Sequence, residues 1–161
     1  MKNKMTEKLF ELAYTDSMTE VQNRNAYEER LKKLRKPNAN ISRITVIVVD
    51  VNGLKEINDS YGHFCGDDAI KTVAKALTDT LGTKADIYRI GGDEFVCISE
   101  SNVLPYISQF KDTIYFINNE KLYNLSVSIG YSRFHEKYSK VIDDIICRAD
   151  EKMYKDKKSK K

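Results

Sequence analysis

Apolar residues recur along this chain at two spacings, and the spacing separates helices from strands. A short amphipathic stretch, 9–14, leads into an irregular segment, 15–22. Asn23 stands where a helix N-cap is expected. Tyr27, Leu31 and Leu34 follow at helical spacing, which predicts a helix to about residue 36. Pro37, with Asn38 and Asn40 behind it, ends that helix. Residues 44–49, ITVIVV, form a nearly unbroken β-branched run, the mark of a central strand covered on both faces. Asp50 closes the run, and 52–61 reads as a short helix. Gly62 and Gly66 mark a loop. Beyond it Ile70, Val73, Ala74, Leu77 and Leu81 trace one face of a helix over 67–81, with Asp67 or Asp68 placed to cap it. Two apolar runs, 87–90 and 95–98, flank Gly91-Gly92-Asp93-Glu94, which predicts a β-hairpin. A helix over 103–118, a strand over 123–131 and a helix from about 140 to 155 complete the reading. In the last helix Val141, Ile142, Ile145, Ile146, Ala149 and Met153 face inward.

Without its first helix the order is β-α-α-β-β-α-β, an α+β pattern with helices packed on a central, mostly antiparallel sheet. The chain has no internal repeat and no linker rich in Pro, Gly or Ser, so its 161 residues are expected to fold as one unit. With 41% hydrophobic and 32% charged residues it is too apolar for a disordered chain. No apolar run approaches the roughly 20 residues of a membrane span, and the opening MKNKMTEKLFELAY is too charged to hold a secretory h-region. Cys65, Cys97 and Cys147 are widely spaced with no CxxC, which argues against a disulfide framework and a structural zinc site. Reduced thiols fit a cytoplasmic setting. The formal net charge of +3 hides an asymmetry: the last ten residues hold six Lys and one Asp, leaving the rest slightly acidic. A solvated basic tail does not predict DNA or RNA binding, and no membrane contact is expected within this chain.

The candidate chemistry lies at the ends of the predicted strands. Asp50 closes the first strand and Asp93-Glu94 sit in the hairpin turn. If the hairpin pairs beside that strand, three carboxylates converge at one edge of the sheet. Their repulsion then raises at least one pKa, and a divalent cation relieves it. Mg2+ takes one or two carboxylates plus substrate oxygens, and such an ion suits attack of a hydroxyl on phosphorus. Taken singly, Asp50 also reads as a helix cap and Asp93-Glu94 as ordinary polar turn residues. Gly53, opening the next helix, permits close backbone approach to a phosphate at a helix N-terminus, and Lys55 adds charge on the same turn; a simple turn is the plainer alternative. Asn58 and Asp67 form a third group. A carboxylate can accept from both N1–H and the exocyclic amine of guanine, a pairing adenine lacks; Asp67 can equally be a cap. His63 reads better as a loop-stabilising residue than as a base or ligand.

Arg89-Ile90-Gly91-Gly92-Asp93-Glu94-Phe95 resembles the signature of the GGDEF family, the diguanylate cyclases, and the context agrees along nearly the whole chain. Asp16-Ser17-Met18-Thr19 and Asn23-Arg24 are similar to the family's opening motif, DxLT followed by NR. Val49-Asp50-Val51-Asn52-Gly53-Leu54-Lys55-Glu56-Ile57-Asn58-Asp59 resembles its metal and phosphate segment. Tyr61-Gly62-His63 with Gly66-Asp67, Ser128-Ile129-Gly130, and Arg148-Ala149-Asp150 with Met153-Tyr154 match later motifs in order.

The resemblance implies a nucleotidyl-cyclase, polymerase-palm-like fold, with a connecting helix over 1–15 and the catalytic domain over 16–161. It implies that Asp50, the Val51 carbonyl and Asp93 hold Mg2+ or Mn2+, and that Asn58 and Asp67 read guanine. Gly53 and Leu54 amides, with Lys55, Lys157, Lys161 and Gly92, would hold the rest of GTP, and Met18 would stand for a Leu at the base pocket. Glu94 would bind a second metal or help deprotonate the attacking hydroxyl, so Asp93, Glu94 and Asp50 are the catalytic candidates. The implied reaction joins two GTP into cyclic di-GMP with loss of two pyrophosphates. Each site holds one GTP, so two copies must face each other, at least transiently. The chain is expected to be excised from, or fused to, a sensory module. Two other readings are a catalytically silent GTP-binding regulatory module and a nucleotidyl cyclase using ATP; Asp67 argues against the second. Three departures stand out. Gly82 and Ala85 occupy the Arg and Asp positions of the family's product-inhibition motif, RxxD, so no tight inhibitory product site is expected there. Glu20 replaces a usual Gly, and Lys161 a frequent Arg.

Overall fold

The computed structural model describes residues 2–160, with side chains from Met5 onward. Ten elements follow in order: α1 (Lys2–Tyr14), α2 (Arg24–Leu34), β1 (Thr45–Val51), α3 (Leu54–Tyr61), α4 (His63–Leu81), β2 (Asp86–Arg89), β3 (Glu94–Ser99), α5 (Leu104–Asn118), β4 (Val127–Arg133) and α6 (Ile142–Ser159). The four strands form one sheet in the order β2-β3-β1-β4, and each of the three pairings is antiparallel.

Every residue of β1 is buried, because the sheet is covered on both sides. Ile47, Val49 and Val51 point into one core with Phe95 and Cys97 of β3 and the apolar faces of α4 and α5. Val46 and Val48, with Val96 and Ile98, point into a second core built by Tyr27 and Leu31 of α2 and Ile142, Ile145 and Ala149 of α6. Strand alternation divides one apolar run between two layers. Asp50 has the parity of Val46 and Val48, which aims it towards α6. At Gly130 an added Cβ would overlap backbone atoms of Ala149 and Met153, so glycine lets α6 lie tight on β4.

Asn23 caps α2 through its side-chain oxygen, which accepts from Ala26 N at 3.1 Å. Three expectations need correction. Residues 62–66 are not a loop: Gly62 turns the chain between α3 and α4, and α4 starts at His63. Neither Asp67 nor Asp68 is therefore a cap. Gly66 lies inside α4 because a Cβ there would overlap the Asn58 carboxamide; it serves a close approach between helices rather than a break. β4 begins at Val127, not 123, since the preceding segment is held by other bonds, with Asn118 Oδ1 accepting from Leu125 N at 2.6 Å while Tyr123 and Leu125 plug the core. α6 runs on to Ser159, carrying its basic end along the sheet.

Candidate functional site

The register of β1 and β3 decides which carboxylates meet. Asp50 lies opposite Glu94, and Val51 N donates to Asp93 O at 2.9 Å, so the hairpin turn is tied to the end of β1. Arg89 shapes that turn from inside: its Nη2 donates to Gly92 O at 2.8 Å and its Nη1 to Asp16 Oδ1 at 3.1 Å. Asp16 Oδ1 also accepts from Thr19 N and Thr19 Oγ1 at 3.0 and 2.7 Å. One guanidinium thereby joins the 16–19 turn to the Gly-Gly bend. Burial alone would raise the Asp16 carboxyl, but the bonds from Thr19 and Arg89 hold it below its ordinary value. Arg89 Nη1 also lies 3.5 Å from Met18 Sδ, and Met18, like Leu54, packs against the first core.

The acidic cluster is balanced from α6. Lys157 Nζ donates to Asp50 Oδ1 at 2.7 Å, and that bond raises the Lys157 pKa. Burial pushes the Asp50 carboxyl up, the Lys157 bond opposes it, and the Asp93 charge adds to the rise. Glu94 is also raised, by burial first and then by Asp150, Asp50 and Asp93. Negative charge thus exceeds what one ammonium neutralises. Among the described residues no group of three or more His, Cys, Asp or Glu side chains could hold a metal ion by itself. Asp50, Asp93 and the Val51 carbonyl nevertheless offer the hard oxygen donors that a partly hydrated, substrate-bound divalent cation takes, and the excess charge favours one. The residues fit such a group.

A cavity of about 610 Å3 opens beside the cluster, bounded by Val51, Gly53, Leu54, Lys55, Asp93 and Lys157, among others. Its floor is the start of α3. Gly53 has φ +64°, a left-handed backbone that glycine adopts without strain. The first amides of α3 have no acceptor within their helix, which makes this end suited to an anion. Asn52 is fixed by the start of β4 and the residue before it: its Nδ2 donates to Ser126 Oγ at 3.1 Å and its Oδ1 accepts from Ser128 Oγ at 2.7 Å.

The sequence-predicted residues therefore divide. Asp50, Val51, Gly53, Leu54, Lys55, Asp93 and Lys157 gather around the cluster and cavity, with Glu94 paired to Asp50 on the sheet and Gly92 in the adjoining bend. Asn58 and Asp67 are half-buried on the neighbouring pair α3 and α4, Asn58 lying against Gly66, the residue before Asp67. Lys161 lies outside the described residues. Sequence reasoning missed Lys160, which lines the cavity and bonds to Val127 O and Asp156 Oδ2, both at 2.7 Å. The four-residue spacing from Asp156 was the legible signal. It also left Asn52 and Arg89 without a role.

The family model described as "Diguanylate cyclase, GGDEF domain" matches residues 13–161. Among curated proteins, the chain is 31% identical over 153 residues to a probable diguanylate cyclase, DgcI, of Escherichia coli K12, covering 94% of this chain and 33% of that one. It is 31% identical over 170 residues to a diguanylate cyclase of Vibrio cholerae, covering 96% and 50%. The chain thus spans a third to a half of the length of these relatives. The coiled coil and GGDEF domain of DgcB from Caulobacter crescentus, solved in complex with c-di-GMP, superposes with a TM-score of 0.81 at 22% identity, covering 98% of this chain and 87% of that one, a likeness of fold.

Proposed function

Because this chain belongs to the GGDEF family of diguanylate cyclase domains, we propose that it condenses two GTP into cyclic di-GMP with release of two pyrophosphates. GGDEF domains bind GTP and c-di-GMP and use a divalent metal, here Mg2+ or Mn2+, held by Asp50, Asp93 and the Val51 carbonyl. The observation that carries the reading is the meeting of Asp50 and the Gly-Gly bend across β1 and β3 beside the α3 N-terminus.

The bound cation supplies charge neutralisation at the phosphates and favours the deprotonated attacking hydroxyl. The chain's own residues do the positioning. The amides of Gly53 and Leu54, with Lys55, cradle phosphate oxygens at the helix end, and Lys157 moves its charge from Asp50 towards the triphosphate. Gly92 adjoins that binding surface, and Lys161 adds a further basic group for the phosphates. Asn58 and Asp67 read the guanine edge, with Met18 against the base. Glu94, whose carboxyl is raised by burial and its acidic neighbours, takes the proton of the 3′-hydroxyl or holds a second ion in this reading. The attacking oxygen comes from the GTP of a facing copy, so a homodimer, at least transient, completes the reaction. Residues 16–161 form the catalytic domain, with 1–15 as a connecting segment before it, acting in the cytoplasm.

Purified protein incubated with GTP and Mg2+ tests this reading. Chromatography is expected to show one cyclic di-GMP per two pyrophosphates, none after chelation, and no product from ATP. GTP that binds and returns unchanged under all conditions, dimerising fusions included, overturns it.

A further inference from the structure

Helix α6 lies antiparallel along the outer edge of β4, and three of its side chains with that of its C-cap Lys160, each four residues from the next, reach the outward backbone groups of that strand. Arg148 Nη2 donates to Arg133 O at 3.1 Å, Lys152 Nζ to Tyr131 O at 3.0 Å and Lys160 Nζ to Val127 O at 2.7 Å. Between the last two, Asp156 Oδ2 accepts from Ile129 N at 2.9 Å. The match is geometric: four helical residues rise about 6 Å and two strand residues about 6.8 Å, so the two rows stay nearly in step. The sole acceptor of the row meets the N–H and the three cations meet carbonyls, which gives partners to four backbone groups of an edge that otherwise presents them unpaired.

Asp156 differs from its companions in accepting from the strand rather than donating to it, and the same oxygen also accepts from Lys160 Nζ at 2.7 Å. Its chain neighbour is Lys157, whose Nζ lies 2.7 Å from Asp50 Oδ1 across the second core. A slip or fraying of this last turn would carry the ammonium away from the carboxylate. We propose that Asp156 is a positioning residue, which locks the end of α6 to the Ile129 N–H and thereby places the Lys157 ammonium over the acidic cluster and the triphosphate side of the cavity. This rests on the reading of that cavity as the GTP site.

Hydrogen exchange and GTP binding, measured together, test it. In Asp156→Ala the Ile129 amide is expected to exchange at least tenfold faster, while amides bonded across to β1 keep their rates. GTP affinity should weaken about tenfold, the scale of one lost charge-assisted contact. Asp156→Asn keeps an acceptor oxygen and is expected to restore Ile129 protection and to bring affinity within about threefold of the parent. Lys152→Ala, on the same edge but a turn away from Lys157, should leave GTP affinity within about twofold. Unchanged affinity in Asp156→Ala, equal loss in Lys152→Ala, or faster exchange throughout the sheet would each overturn the assignment. If the parent protein binds no GTP, the functional reading fails on its own. A crystal structure of Asp156→Ala then still decides the positioning claim, by whether Lys157 Nζ stays on Asp50.

Discussion

At Glu94 and Asp50, burial pushes carboxyl groups above their ordinary pKa beside other negative charges. A carboxyl raised by folding weakens the fold when ionised. That penalty is full above the folded-state pKa, shrinks as pH falls through it, and is gone below the unfolded value. Glu94→Gln is therefore expected to raise the melting temperature at pH 7 by about 2 °C or more, with the gain vanishing under acid conditions, while cyclic di-GMP formation falls sharply. A variant that melts lower at neutral pH would contradict the account. Glu20 is strained in another way. Its φ is +63°, a left-handed conformation that costs a non-glycine residue about 1 kcal/mol, at the position where a glycine was expected from the opening motif. Glu20→Gly should stabilise the protein by about 0.5–1 kcal/mol in a urea titration, because the turn needs the conformation and not the side chain. The acidic residues were legible in the sequence because a β-branched strand ending in Asp and a Gly-Gly hairpin are local signals. The Arg89 bridge from Asp16 to Gly92 was not, since Asp16 lies 73 residues from Arg89 and no spacing encodes that pairing.

Elements were legible where their pattern was long and periodic. β1, the hairpin, α2 and α5 lie close to their expected places, because each carries its own apolar rhythm and stop signal. The errors fell where a residue served a neighbour instead of its own segment. Gly66 reads as a breaker, yet it sits inside α4 to make room for Asn58. Tyr123 and Leu125 read as strand, yet they plug the core from irregular backbone. Gly66 yields a prediction at this scale. Alanine there gains helix propensity of about 1 kcal/mol but displaces the Asn58 carboxamide. Gly66→Ala should fold with nearly unchanged stability and lose about tenfold in GTP affinity, as expected for a broken base contact. Affinity equal to the parent's would remove Asn58 from the guanine pocket.

The whole molecule is a sheet with two covered faces that delivers strand ends, a helix N-terminus and the basic end of α6 to one cavity. No described helix is long and apolar enough to cross a membrane. Gly82 closes α4 and Ala85 precedes β2, so neither of the RxxD positions brings a charge. Added cyclic di-GMP is accordingly expected to compete weakly with GTP and not to inhibit at a separate tight site; potent non-competitive inhibition in steady-state kinetics would reverse that view. Family and fold class could be read from ordered motifs, whereas the proposed facing of two copies would be a property of the pair and leave no periodic trace in one chain. The rate of Mg2+-dependent cyclic di-GMP formation against protein concentration, for the parent chain and Asp93→Asn, therefore tests the central claim most directly. The account predicts a rate rising more steeply than in proportion to protein, and none for the variant. A rate strictly proportional to protein at concentrations where the chain is monomeric, or a variant as active as its parent, would contradict it.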